Sequence, residues 1–264
     1  MKVTLVQSSL HWQDISSNLN HFEKLLDSDR TKTDLIVLPE MFNTGFTMQP
    51  EKYAEAAEGS SFQWMKKQAH TRECIITGSM AVSDGNSYFN RLYWVAPNGK
   101  FLFYDKRHLF RMGGEHEHYN YGTQKLITTF KDWRICPMVC YDLRFPVWSR
   151  NRFDKKNSSY EYDVLIYIAN WPAARAMAWK QLLIARAIEN QCYVIGVNRI
   201  GEDGNGVAHS GDSMVIDAKG DVLYASDADQ EELFTILLDK RSLDDFRTKF
   251  PAGMDGDVFT LETK

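Results

Sequence analysis

The sequence predicts an α/β layered sandwich with helices on the outside. Short apolar runs of strand length recur along all 264 residues, helical segments arrive between them in α/β order, and strands outnumber helices. With 44% of the residues hydrophobic, the chain has enough apolar material for one sizeable core, and we expect a single domain over residues 1–264 with 251–264 as a tail. No G-x-G-x-x-G or G-K-[ST] follows a strand, so neither a Rossmann nor a P-loop reading has support.

Taken in order, residues 2–7 alternate like a strand, and Ser16 or Ser17 is positioned to cap a helix running to about Asp29. Leu19, Phe22, Leu25 and Leu26 give that helix an apolar face. Residues 34–38 form a short run of the kind buried on both faces, stopping at Pro39-Glu40. A helix over 61–71 and a buried strand over 74–80 follow. Residues 90–96 and 100–105 flank Pro97-Asn98-Gly99, a hairpin signal. Residues 107–122 lack a regular period and read as a long loop, often a functional feature in a compact domain.

A strand over 133–139 leads to Cys140, and a helix is expected over 146–153, with Pro146 in its first turn. Residues 164–169 form another apolar strand, ending at Asn170-Trp171-Pro172. The longest helix spans 174–190, with Ala178, Leu182, Ala185 and Ile188 as its inner stripe. A strand at 193–198, a glycine-rich loop at 201–211, a hairpin around Ala218-Lys219-Gly220, a strand at 232–238 and a helix at 241–250 complete the chain.

The formal net charge is −4 with no basic tract, which disfavours nucleic acid or an anionic membrane as partner. No stretch approaches ~18 consecutive apolar residues, and the N-terminus lacks a signal-peptide pattern, so a cytoplasmic location is expected. The four cysteines, Cys74, Cys136, Cys140 and Cys192, fit reduced thiols better than disulfides. Cys136 and Cys140 are four apart, which is not a C-x-x-C site.

Three polar residues sit where buried strands run out: Glu40, Lys106 and Cys140. Each alone has a plain alternative as a helix-entry carboxylate, a solvated strand end or a core thiol. If their strands are neighbours, the three side chains meet at one sheet edge. There a thiolate is the nucleophile, Glu40 takes and later returns its proton, and Lys106 with the N–H of Tyr141 stabilises an oxyanion. Such a trio suits hydrolysis of a non-peptide C–N bond through a thioester.

The segments Leu38-Pro39-Glu40-Met41-Phe42, Tyr104-Asp105-Lys106-Arg107-His108-Leu109 and Val139-Cys140-Tyr141-Asp142-Leu143-Arg144-Phe145-Pro146 resemble the Glu-Lys-Cys signature of the nitrilase, or carbon-nitrogen hydrolase, superfamily. The resemblance implies a four-layer α-β-β-α sandwich, usually a homodimer paired through its outer helices, and no cofactor. It also implies a second glutamate that orients the lysine, Glu115 first and Glu117 second. Pro39-Glu40-Met41-Phe42-Asn43-Thr44-Gly45-Phe46, Lys106-Arg107-His108-Leu109-Phe110, Ala169-Asn170-Trp171-Pro172 and residues 185–191 look most like the bacterial omega-amidases, which hydrolyse 2-oxoglutaramate and similar monoamides of dicarboxylates.

Three rival readings remain. Glu115-His116-Glu117-His118 has alternating potential metal ligands, but no H-E-x-x-H is present, and no metal is expected. A papain-like Cys-His pair lacks a local signature, and a non-catalytic binding module sits poorly with an intact Glu40-Lys106-Cys140 set. For a substrate carboxylate, Arg144 and Arg175 are the candidates, a structural ion pair being the alternative for Arg144. Trp171 and Phe42 are candidate pocket walls, with core packing as the alternative.

Overall fold

In the computed structural model, which describes residues 1–262, two sheets pack face to face with helices on both outer sides. The first sheet runs Glu232–Leu237, Lys2–Gln7, Leu35–Val37, Ile75–Asp84, Ser87–Val95, Phe101–Asp105, with Glu55–Ala56 paired on Ile75–Asp84. The second runs Val222–Ala225, Met214–Ile216, Tyr193–Asn198, Val164–Ala169, Trp133–Val139, Thr128–Phe130. In both, the central strands are parallel and the outer ones antiparallel. This is the α-β-β-α layering the sequence implied.

The layering follows from a period of two along the strands. Val3, Leu5, Leu35 and Val37 join Ile135, Met138 and Ile166 of the second sheet in one core. Val6, Ile36, Leu38 and Ile76 face the other way. They pack on Phe22 and Leu26 of helix Ile15–Ser28 and on Phe62, Met65 and Ala69 of helix Ser60–Arg72. Helix Ala176–Asn190 covers the outer side of the second sheet and seats on Gly196. A Cβ there would lie 2.4 Å from Leu183 Cδ1 and 2.8 Å from Trp179 Cζ2, so only glycine admits the helix at this distance.

Several local expectations are corrected. Asp14, not Ser16 or Ser17, caps the first helix: it accepts from the Ser17 N–H at 3.0 Å, and both serine hydroxyls donate to it. The strand expected at 74–80 continues to Asp84 because Ser87–Val95 pairs with it throughout. Residues 107–122 contain a 3-10 turn, Arg111–Gly113, and a one-turn helix, Glu115–His118. The helix expected over 146–153 is one turn, Pro146–Ser149, because Phe153–Asp154 is extended to pair with Ser159–Tyr160.

Helix Ala176–Asn190 buries Trp179, Leu183, Arg186, Ala187 and Asn190 rather than the expected stripe, and Ile188 is 51% exposed. The large indole of Trp179 takes the seat on the sheet, which turns the helix about one residue. The glycine-rich segment at 201–211 is a hairpin, Ile200–Glu202 with Ala208–Ser210. All four cysteines are free and buried. Among the described residues no helix is long and apolar enough to cross a membrane. The tail begins on its own chain, where the Gly253 N–H donates to the Tyr160 hydroxyl; residues 263 and 264 lie outside the described ones.

Asp163 ties the C-terminal helix to the second sheet. Its buried carboxylate accepts from Arg247 at 2.6 Å and from Arg134 at 3.0 Å, with Lys240 at 3.3 Å. Burial pushes its pKa up, but the Arg134 hydrogen bonds and the Arg247 and Lys240 charges outweigh it and hold it down at about 2. A depressed folded pKa stabilises above the unfolded value, ~3.9, and that contribution, about 2 kcal/mol, is lost as pH falls from 4 toward 2. Urea unfolding of Asp163→Asn is therefore expected to show lower stability at pH 7 and a shallower fall between pH 4 and pH 2 than wild type. Parallel pH profiles for the two proteins would contradict this.

Candidate active site

Glu40 lies just past strand Leu35–Val37, Lys106 directly follows Phe101–Asp105, and Cys140 directly follows Trp133–Val139. Glu40 and Lys106 come from the first sheet with two strands between them, and Cys140 from the second. The expected meeting along one sheet edge is therefore a meeting across the sandwich. Lys106 Nζ lies 2.8 Å from Glu40 Oε1 and 2.9 Å from Glu115 Oε2, and all three side chains are fully buried. Glu115 is brought in by the one-turn helix; Glu117, on the same turn, is exposed.

The remaining carboxylate lone pairs are met. Asn90 Nδ2 donates to Glu40 at 2.8 Å and to Glu115 at 3.2 Å. The Asn170 N–H donates to Glu40 Oε2 at 2.8 Å, and the Phe110 N–H to Glu115 Oε2 at 2.5 Å. Asn90 is an unforeseen member of the site; its one signal is an amide, next to Arg91, in the mostly apolar strand Ser87–Val95. Burial would strip the Lys106 proton, but Glu115 and Glu40 hold its pKa above the ordinary lysine value. Burial pushes Glu115 up despite Lys106. Burial, followed by the charge of nearby Glu40, pushes the Cys140 thiol well above the ordinary value, against the pull of Lys106.

Cys140 sits at φ +44°, in the left-handed region, on a 3-10 turn spanning Cys140–Arg144. Asp142 holds this elbow. Its carboxylate accepts from the Val139 N–H at 3.1 Å, the Tyr104 hydroxyl at 2.8 Å and the His108 N–H at 3.0 Å. One side chain thus fixes the cysteine turn to the segment carrying Lys106. Arg186 donates to the Leu143 carbonyl at 2.6 Å from behind.

A cavity of about 330 Å³ opens above Cys140, with Tyr141, Trp171, Arg144 and Arg175 on its walls. Trp171 lines this cavity. Phe42 is not: it is buried beside Phe22 and Trp64 under the first helix layer. Arg144 is exposed over the Trp171 ring at 4.8 Å, and Arg175 lies 5.4 Å from the Phe110 ring centre. Neither forms an ion pair among the described residues, so the structural pairing considered for Arg144 is absent. The Glu115-His116-Glu117-His118 run disperses: Glu115 turns inward to Lys106, while His118 lies 3.9 Å from Glu51.

Removing the ammonium alone leaves two facing buried carboxylates. Lys106→Met should cost about 3–5 kcal/mol at pH 8. One carboxyl must then hold a proton, so its folded pKa rises above the unfolded value. That favourable term is present at low pH and lost as pH rises, and the variant should recover stability between pH 8 and pH 5. Denaturant titrations at the two pH values test this; a loss independent of pH would contradict it.

Residues 2–248 match the family model described as carbon-nitrogen hydrolase. The chain is 46% identical over 261 residues to omega-amidase YafV of Escherichia coli (strain K12), covering 99% of this chain and 98% of that one. It is 31% identical over 252 residues to the 2-oxoglutaramate amidase of Bacillus subtilis (strain 168), covering 94% and 95%. Among solved structures, XC1258 of Xanthomonas campestris, a CN-hydrolase superfamily protein with an arsenic adduct in its active site, superposes with a TM-score of 0.96 at 44% identity, covering 99% of both chains. The buried Glu-Lys-Glu cluster beside a cysteine elbow and the match along nearly the whole chain lead to one conclusion: this protein belongs to the carbon-nitrogen hydrolase family.

Proposed function

We propose that the protein is an omega-amidase that hydrolyses the terminal amide of small dicarboxylate monoamides, such as 2-oxoglutaramate, through a thioester on Cys140. The observation that carries this reading is the buried Cys140 thiol beside the Glu40–Lys106 ion pair, under a cavity bearing two arginines that have no acidic partner among the described residues. Relatives named omega-amidase and 2-oxoglutaramate amidase support the substrate class.

With both glutamates ionised and Lys106 protonated, the buried cluster carries one negative charge. Releasing the thiol proton to solvent would add a second, which burial opposes. Passing the proton to Glu40 leaves the cluster's charge unchanged as Sγ forms its bond to the amide carbon. The carbonyl oxygen then becomes an oxyanion held by a Lys106 N–H and the Tyr141 N–H. Glu40 gives the proton to the nitrogen as the C–N bond breaks, releasing ammonia and leaving the thioester. Water attacks the thioester while Glu40 takes its proton; the C–S bond breaks, the acid leaves, and the proton returns to sulfur. Glu115 and Asn90 hold Lys106 and Glu40 in position and transfer nothing.

The far carboxylate of the substrate needs a cation if water is excluded. Arg175 and Arg144 supply that pairing. Glutamine brings an α-ammonium that needs its own partner and should react more slowly. N-carbamoyl amino acid hydrolysis and aliphatic amidase activity are the alternatives within the family. A non-catalytic small-molecule binder is the alternative outside it. We place the enzyme in the cytoplasm, as one catalytic domain paired as a homodimer; light scattering that finds only monomer at micromolar concentration would overturn the pairing.

Ammonia release from a panel of amides, nitriles and N-carbamoyl amino acids tests the reading. Short omega-monoamides should turn over, and nitriles and peptides should be nearly inert. Cys140→Ala should be folded and inactive, whereas Cys136→Ala should keep most activity. Turnover of N-carbamoyl compounds or nitriles without the monoamides would overturn the substrate class, and substantial activity in Cys140→Ala would overturn the mechanism.

A further inference from the structure

One wall of the cavity carries a histidine that the reaction scheme above leaves unused. His209 lies on strand Ala208–Ser210, whose hairpin packs beside the Ala173–Arg175 turn that bears Arg175. It lines the cavity with Cys140 and both arginines, yet is only 3% exposed. Its Nδ1 is enclosed with no hydrogen-bond partner among the described residues. A ring whose Nδ1 is enclosed offers a ligand in the cavity only its Nε2.

Arg199 lies near the ring, fully buried; Asp203 is close to both, but among the described residues no carboxylate is hydrogen-bonded to Arg199. Its Nε and one terminal nitrogen donate to the carbonyls of Ile200 and Glu202, while the other terminal nitrogen has no partner. Burial and then the Arg199 charge hold the His209 pKa down at about 4 against the Asp203 charge and the Gly201 and Val207 backbone, so the imidazole is neutral at pH 7 and keeps one N–H and one lone pair. A neutral N–H donor favours an electron-rich oxygen.

We infer that His209 is a specificity-determining residue that donates a hydrogen bond to the 2-oxo oxygen of an omega-monoamide whose carboxylate is held by the cavity's arginines. This rests on the omega-amidase reading and refines it. The far end of the substrate carries two features, a carboxylate and the oxygen beside it. The arginines answer the first. His209 answers the second.

The test compares kcat/KM for 2-oxoglutaramate with that for glutaramate, which has a methylene in place of the oxo group. Wild type should prefer the oxo compound. His209→Leu should lower kcat/KM for 2-oxoglutaramate about tenfold, the worth of one hydrogen bond of ~1.4 kcal/mol, and leave glutaramate nearly unchanged. His209→Asn, which keeps an N–H donor, should retain part of the preference and serves if the leucine variant folds poorly. A purely structural histidine would lower both substrates together and leave the ratio fixed, which would overturn the inference. Failure of wild type to hydrolyse either amide would instead overturn the omega-amidase reading.

Discussion

The buried contact between Lys106 and the carboxylates of Glu40 and Glu115 is the constraint on which the site depends. Three charges in a fully buried cluster are tolerated only if each is paired and hydrogen-bonded. Here the ammonium faces both carboxylates within 3.0 Å, and Asn90, Phe110 N–H and Asn170 N–H complete the oxygens. Asn170 follows a strand of the second sheet and also donates from its side chain to the Glu40 carbonyl at 2.5 Å. The cluster therefore joins the two sheets at the end where the cavity opens. A shift of one sheet against the other would strand a buried charge.

The cysteine is delivered to that cluster by a second fixed element. A left-handed φ at a residue with a side chain is unfavourable on its own and persists only where neighbours impose it. Asp142 imposes it by bonding the backbone just before Cys140 and the backbone just after Lys106. The distance between nucleophile and lysine is thus set through one carboxylate rather than through two independent loops. Asn198 does similar work on the cavity wall, accepting from the Trp171 N–H and donating to the Trp171 carbonyl.

The layers were legible because strand alternation is local information: Val3 and Leu5 against Val6, or Leu35 and Val37 against Ile36, announce two buried faces. Glu40, Lys106 and Cys140 were legible because each is a polar residue where an apolar run stops. That they meet across two sheets was not, since strand order is set by pairings distant in sequence. Asn90 was hidden because one amide in a strand has no distinctive spacing, and His209 because its glycine-rich surroundings read as a loop rather than a hairpin. The stripe of helix Ala176–Asn190 was misplaced because a single indole overrides the average periodicity. Phe42 lies beside a catalytic candidate in sequence, but the turn after Glu40, with Met41 at φ +42°, sends its ring into the opposite core.

The central claim is that Cys140 becomes acylated and that Glu40 takes its proton. Mass spectrometry of acid-quenched protein after mixing with 2-oxoglutaramate tests this directly. The account predicts an acyl adduct confined to the peptide carrying Cys140 in wild type, and none in Glu40→Gln. An adduct on Cys74, Cys136 or Cys192, or normal acylation in Glu40→Gln, would contradict it.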